Sequence, residues 1–429
     1  MDVRKGYVGT SVPARVTPAA GVEARVRRYY AFQVLVAFQL WSPFWSLWLF
    51  DRLSNDYFLG TLVDVVFWIV SLLVAVPAGA LADRYGRKRA VVIGTGIWMA
   101  GIVLFGFAGD FATFALANAV WAFGAGFLWG GGSAYLYDTL VEVHAEARYP
   151  SVSSRSAMYA FLGTALACVV GGTLVATTDR LDLPLILYAI PGIGALVLGL
   201  TFQEPSVGRQ PEKNLLAQVV SGARTTARNR QIVLIIVFQV LVGFVTYMMG
   251  FFRPKFMDQV VQGNFLLMGV VYAGFFCVAA ASGRTVDRLM RRLGESGALV
   301  VVILLVFPPF ALIYLVAQGY FAPDVALVLG VLTQVPDYIF WGIESPLITT
   351  IINRRVASND RATVLAINSF FTTLVIAIAE PVVGQVATVY SVGTGLAAGA
   401  LAAAVPTALV LAAYRKSERA APGAGAGGE

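Results

Sequence analysis

Gly79-Ala80-Leu81-Ala82-Asp83-Arg84-Tyr85-Gly86-Arg87-Lys88-Arg89 decides how this chain is organised. The residues before it, 59–82, and after it, 90–109, are apolar and long enough to cross a bilayer. A weaker copy, Gly283 followed by Asp287 and Arg288, recurs 204 residues later between two more such stretches. A charged loop built twice, at about half the chain length, points to a duplicated membrane unit.

Composition agrees. The chain is 58% hydrophobic and 13% charged, with a mean hydropathy of +0.75, whereas soluble domains carry about 25% charged residues. So much apolar surface needs a bilayer as solvent. The net charge of +7 sits in short loops between apolar stretches, which reads as membrane orientation and excludes a nucleic-acid partner. One histidine, His144, cannot build a metal site or a Ser-His-Asp set, and no phosphate-binding glycine loop is present. An enzyme is therefore not expected, and neither is a cofactor. Cys168 and Cys277, one per half, read as small buried hydrophobes.

Twelve spans follow, near 29–50, 59–82, 90–109, 112–141, 154–176 and 184–202, then 232–252, 263–284, 297–317, 324–350, 362–389 and 392–414. Residues 1–28 form a polar, basic N-terminal segment without a signal-peptide pattern. Residues 203–231 read as a linker with room for a short amphipathic helix, and 415–429 as a disordered tail. With both termini on one side, that side receives 27 Lys and Arg and the other only Arg52, Arg180, Arg253 and Lys255. The asymmetry predicts both termini in the cytoplasm of a multi-pass protein of the plasma or inner membrane, working as a monomer.

The repeat extends past the lead loop. Asp138 in span 4 precedes Arg155 in span 5 by 17 residues, and Glu344 in span 10 precedes Arg361 in span 11 by the same spacing. Charges present in both halves read as scaffold or gate. Polar groups present in one half only read as substrate or proton chemistry.

The shared charges are Asp83, Arg84, Arg87, Asp138 and Arg155, matched by Asp287, Arg288, Glu344 and Arg361. Carboxylates and guanidiniums there can form bidentate pairs that break between conformations. Gly79, Gly86 and Gly283 complete the loops; Lys88 and Arg89 read as anchors.

The one-sided groups are fewer. Gln334, Asp337, Trp341 and Glu344 share one face of span 10, and their counterparts in span 4 are Leu128, Gly131, Tyr135 and Asp138. Asp337 lies mid-span beside Pro336 and is the leading candidate for proton coupling or for binding a cationic group. Asp64 and Glu380, toward the outer ends of spans 2 and 11, could titrate with alternating access or act as outer-gate hydrogen-bonding groups. In span 7, Gln239, Gly243, Thr246, Gly250 and Arg253 share a face, with Tyr247 beside it. Arg253 reads as snorkelling to the interface, with a counter-charge for an acid as the alternative. Trp41, Phe44, Trp45 and Trp48 stripe span 1; Trp41 fits a cavity and Trp48 fits the lipid-interface belt.

The doubled Gly-x-x-x-Asp-Arg loop, with Gly-Arg-Lys-Arg in its first copy, resembles the major facilitator superfamily of transporters over nearly the whole chain. The resemblance implies an all-α membrane protein of two pseudo-symmetric six-helix bundles, with spans 1, 4, 7 and 10 around a central cavity. Asp83 would then face the start of span 11, the loop arginines would pair with Asp138, and Trp41 and Trp45 would face Tyr135, Asp337 and Trp341. Gly130-Gly131-Gly132-Ser133 with Tyr135 and Asp138 resembles bacterial efflux-type, drug/proton antiporter-like members. The antiporter helix-5 motif Gly-x-x-x-Gly-Pro-x-x-Gly-Gly is incomplete here, with Ala167 and Cys168 where that motif has Gly-Pro. Alternating-access export of amphipathic small molecules, driven by the transmembrane proton gradient, is the expected function. Uptake of a metabolite by symport or uniport, lipid flipping, and membrane sensing or scaffolding are the alternatives.

Overall fold

The computed structural model describes residues 19–206, 224, 226–356 and 361–420. Every regular element among them is helical. Ten helical stretches are long and apolar enough to span a bilayer. One of these, Phe265–Ala317, contains two crossings, and the first crossing is broken at residues 37–44 and carries Glu23, Arg25, Arg27 and Arg28 in its longer piece, so the described residues make twelve crossings. In hydrocarbon each backbone polar group needs an internal partner, which helices supply.

Span 1 is Ala19–Val36, an irregular stretch around Pro43, and Trp45–Arg52. Spans 2 to 5 are Tyr57–Tyr85, Arg87–Phe107, Phe111–Glu142 and Tyr149–Thr178; span 6 is Leu183–Leu187 with Ala189–Leu200. Spans 7 and 8 are Arg230–Val261 and Phe265–Ser282; span 9 is Val286–Val306 with Pro309–Ala317. Spans 10 to 12 are Pro323–Asn353, Arg361–Val389 and Val392–Ala420. Asp56, Asp110, Asn229 and Asn264 cap spans 2, 4, 7 and 8 by accepting backbone N–H groups. The Thr113 amide and hydroxyl hold the exposed Asp110 carboxyl below its usual range.

Three expectations need correction. Span 1 is not one continuous helix: Pro43 interrupts its ladder, and the break resets the helical phase. Trp48 therefore leaves the lipid belt; it is buried, its Nε1 donates to the Phe105 carbonyl at 3.2 Å, and Arg52 lies 4.2 Å over its ring. Span 7 does not end at 252 but runs to Val261, because Arg253 is neutralised inside the protein rather than marking an interface. Cys168 is buried as expected, whereas Cys277 is exposed on the outside of the bundle. Most of the linker, including Arg209 and Lys213, and the tail beyond Ala420 lie outside the described residues.

Twelve crossings put the beginning of span 1 and the end of span 12 on one face, called here the terminal face; the other is the distal face. Spans 1–6 and 7–12 form two bundles that meet along spans 2 and 11 and along spans 5 and 8. At the second seam a Cβ added to Gly172 would lie 2.7 Å from the Phe265 carbonyl and 2.9 Å from the Gly269 Cα. Only small residues permit that approach.

The halves are sealed distally. Ser46 Oγ donates to the Phe251 carbonyl at 2.7 Å, and the Phe58 N–H donates to Thr388 Oγ1 at 3.0 Å. Phe50 stacks on Phe252 at 5.6 Å and meets Phe251 edge-on at 5.3 Å, and Tyr57 closes on Phe252 at 6.1 Å. Toward the terminal face, Arg284 Nη2 meets Met158 Sδ at 2.9 Å across the halves.

Candidate functional site

Between the bundles lies a cavity of about 790 Å³, lined from Trp45 and Phe251 beneath the distal seal to Tyr29, Tyr149 and Ser153 near the terminal face. Seven of the eight tryptophans line it: Trp41, Trp45, Trp68, Trp98, Trp121, Trp129 and Trp341. Trp121 is the hub. Trp41, Trp98 and Trp45 present edges to it at 4.9, 5.6 and 6.0 Å, and Phe67 does so at 5.9 Å. The break in span 1 places Trp41 and Trp45 on this hub although they do not share one regular helical face.

Three polar clusters punctuate the aromatic wall. In the first, Arg253 pairs with Asp337, donates from Nε to Gln334 Oε1 at 3.1 Å, and lies 4.5 Å over the Tyr338 ring. Arg253 is 4% exposed and Gln334 fully buried. The snorkelling reading of Arg253 is thus overturned in favour of the counter-charge reading: the acid, Asp337, lies on span 10 of the same half, and pairing with it offsets part of the cost of burying the cation.

In the second cluster, Asp64 accepts from Trp68 Nε1 at 2.9 Å and from the Tyr247 hydroxyl. Glu380 packs beside it from span 11, fully buried. In the third, Gln239 donates to Glu344, next to Trp341, which is 48% exposed and faces open space in the cavity. Asp64, Asp337, Trp341, Trp41, Trp45, Tyr247 and Glu344 line the cavity, while Gln334, Gln239 and Glu380 stand behind that wall. Tyr135 does not belong to it. Its ring lies flat between Tyr29, at 6.5 Å, and Phe202, at 4.8 Å, because span 6 ends over that face of span 4.

The shared charges behave differently in the two halves. Arg87 Nε donates to Asp138 Oδ2 at 3.1 Å, as expected. Gly86, at φ 110°, turns the chain so that the Arg87 and Lys88 amides meet the Glu204 carboxylate at 2.6 and 3.1 Å. That conformation favours glycine, and a carboxylate suits a helix N-terminus. The Asp83 side chain lies outside the described residues. Gly79 has open space around it, Arg84 is exposed above Tyr85, and Arg155 is exposed with no carboxylate described within ion-pair distance.

In the second half, Gly283 opens a short 3-10 turn and Asp287 and Arg288 are exposed without a described ion pair. Arg361 does not reach Glu344; it donates to the Asn353 and Val356 carbonyls of its own half, both at 3.1 Å. The acid of this half's terminal face is instead Glu295, which accepts from Arg354 at 3.2 Å, from Tyr414 at 2.8 Å and from Arg355.

The sequence reading missed Trp68, Asn118, Trp121 and Trp129 on the wall, and Glu204 and Glu295 at the terminal face. Part of the signal was present. Trp68 is four residues after Asp64, and Asn118, Trp121 and Trp129 keep one face of span 4.

Comparison with known proteins agrees with this geometry. The sequence matches the Major Facilitator Superfamily over residues 30–380. Vesicular acetylcholine transporters of Mus musculus and Homo sapiens are 35% identical to it over 108 residues, 25% of this chain. That stretch spans only 18% of the length of those curated relatives. Among solved structures, nucleoside transporter NupG is similar with a TM-score of 0.71 and 15% identity, covering 92% of this chain and 98% of that one. A bacterial homolog of the human lysosomal transporter Spinster, inward-facing and occupied, follows at 0.68 and 15%, covering 91% and 96%. A POT family transporter in complex with 5-aminolevulinic acid gives 0.67 and 13%, covering 92% and 96%. At those identities the structures speak for the fold, and with the match over most of its length the chain belongs to the Major Facilitator Superfamily.

Proposed function

We propose that this protein is a proton-coupled exporter that moves amphipathic organic cations out of the cytoplasm by alternating access. The observation that carries the reading is the cavity wall. Seven tryptophans surround a space in which, among the described residues, Asp64 and Glu344 pair with no arginine. Indole faces attract cations, most strongly where water is thin, and a nearby carboxylate adds charge complementarity. Arg253 does not repel such a ligand strongly, since Asp337 neutralises it. The Lys and Arg asymmetry supports a terminal face in the cytoplasm of the cell membrane, so this open cavity would load from inside. The relatives over 108 residues are named for acetylcholine, itself an organic cation. The transmembrane proton gradient is the energy source, and the monomer holds the complete cavity.

Proteoliposomes with an imposed pH gradient test this. A fluorescent amphipathic cation should accumulate against its own gradient, with exchange for protons, and its neutral isostere should not. Equal movement of both compounds, or movement indifferent to the pH gradient, contradicts the reading, and the direction of accumulation separates export from uptake.

A further inference from the structure

Asp64 on span 2 and Glu380 on span 11 belong to opposite halves and meet at the seam between them. Asp64 is 2% exposed and Glu380 fully buried. Both Glu380 oxygens lack a described hydrogen-bond donor, and the titratable groups facing them are the Asp64 carboxyl and the Tyr247 hydroxyl. The groups that face Asp64 from its own span and from spans 4 and 7 are Trp68, Asn118 and Tyr247, all uncharged. Among the described residues no Arg, Lys or His pairs with either acid.

Chemistry then limits the pair. An ionised carboxylate only accepts hydrogen bonds, so two of them in contact have nothing to share and repel. One proton turns the contact into an O–H···O⁻ hydrogen bond, which is short and strong. The position gives that switch a mechanical lever. On the distal side of the pair, spans 2 and 11 are closed by the Phe58–Thr388 hydrogen bond and by Gly384 packed on Thr61. Rocking the halves apart distally must separate Asp64 from Glu380. Only Asp64 of the two lines the cavity.

Building on the exporter reading, we propose that Asp64 and Glu380 hold a shared proton that latches the distal seam shut, and that its loss into the cavity releases the latch. The step balances simply. The carboxyl O–H bond breaks, the proton passes to cavity water, and two carboxylates remain. An organic cation in the cavity offsets their charge as the distal face opens. Distal water then reprotonates the pair, and the seam closes again. Each cation leaving is matched to a proton entering because both neutralise the same two acids.

The test uses the full chain in lipid nanodiscs, with Cys168→Ser and Cys277→Ser, and spin labels at Thr177→Cys and Tyr390→Cys on the distal ends of spans 5 and 11. No substrate is added. The distance between labels should stay short near about pH 5 and gain a longer population toward about pH 9, spanning the range in which buried acids titrate. D64N and E380Q should each stay short at every pH, because one neutral amide keeps the seam bonded. A wild-type distance that ignores pH, or a pH shift that persists in both variants, overturns the latch. Wild-type exchange of a labelled amphipathic cation at equal pH on both sides tests the exporter reading separately. Exchange with a pH-invariant distance removes the latch alone, whereas a pH-dependent distance without exchange removes the exporter reading alone.

Discussion

Two of the three acidic clusters on the cavity are built on opposite plans. Asp337 is closed within its own half: Arg253, Gln334 and Tyr338 gather around it, and all come from spans 7 and 10. Asp64 is open across the seam: its partners come from spans 2, 4, 7 and 11, and one of them is another acid. A charge balanced inside one rigid bundle does not sense how the bundles are placed. A charge balanced between bundles does. The residue type and the approach to the cavity are similar, so the difference lies in the partner. Under the proposed latch, coupling falls to the pair at the seam rather than to Asp337, the leading candidate by sequence.

The sharpest way to break this contrast is Arg253→Ala. It strands Asp337 in a buried site, and the expected loss is about 3–5 kcal/mol of stability, whereas replacing both partners with apolar residues of similar size should restore most of it. Thermal unfolding in detergent reads both. A stable single variant would mean that Asp337 is not held by its arginine. Next in size is Glu380→Gln, which should leave the unfolding temperature nearly unchanged while gradient-driven accumulation falls at least about tenfold, equivalent to about 1.4 kcal/mol of lost coupling. Full coupling in that variant would erase the distinction between the clusters.

Trp341→Ala sharpens the picture of the wall. Because that ring is half exposed to open cavity, stability should barely change, and affinity for an organic cation should drop by about 0.5–2 kcal/mol. Calorimetric titration with the cation and its neutral isostere would separate charge recognition from simple apolar contact. The smallest effect belongs to Asp138→Asn at the terminal face. Its bond to Arg87 is partly exposed, so about 0–1 kcal/mol is expected. A large loss there would show that the first half's loop is a scaffold rather than a gate.

What the sequence disclosed follows the range of the forces involved. Twelve crossings, their alternation and the doubled loop are properties of neighbouring residues, and apolar length and basic loops reveal them directly. Asp64 and Glu380 could be singled out as one-sided acids, yet their meeting could not, because 316 residues separate them and only the docking of two bundles joins them. Arg253 was misplaced for a related reason. A cation near an expected helix end resembles an interface anchor until its partner on another span is known. The Trp48 error came from assuming an unbroken helix through Pro43, where a small change of phase redirects every side chain beyond it. The two terminal-face networks differ although their motifs repeat, since Glu295 takes in the second half the place that Glu344 was expected to hold.

Proton release on ligand binding reaches the central claim most directly. In weakly buffered solution, adding an amphipathic cation to the purified protein should release about one proton per cation bound, because binding and proton loss are linked through the same acids. Glu380→Gln should bind the cation with no release. Cation binding by the wild-type protein without any proton release would contradict the account.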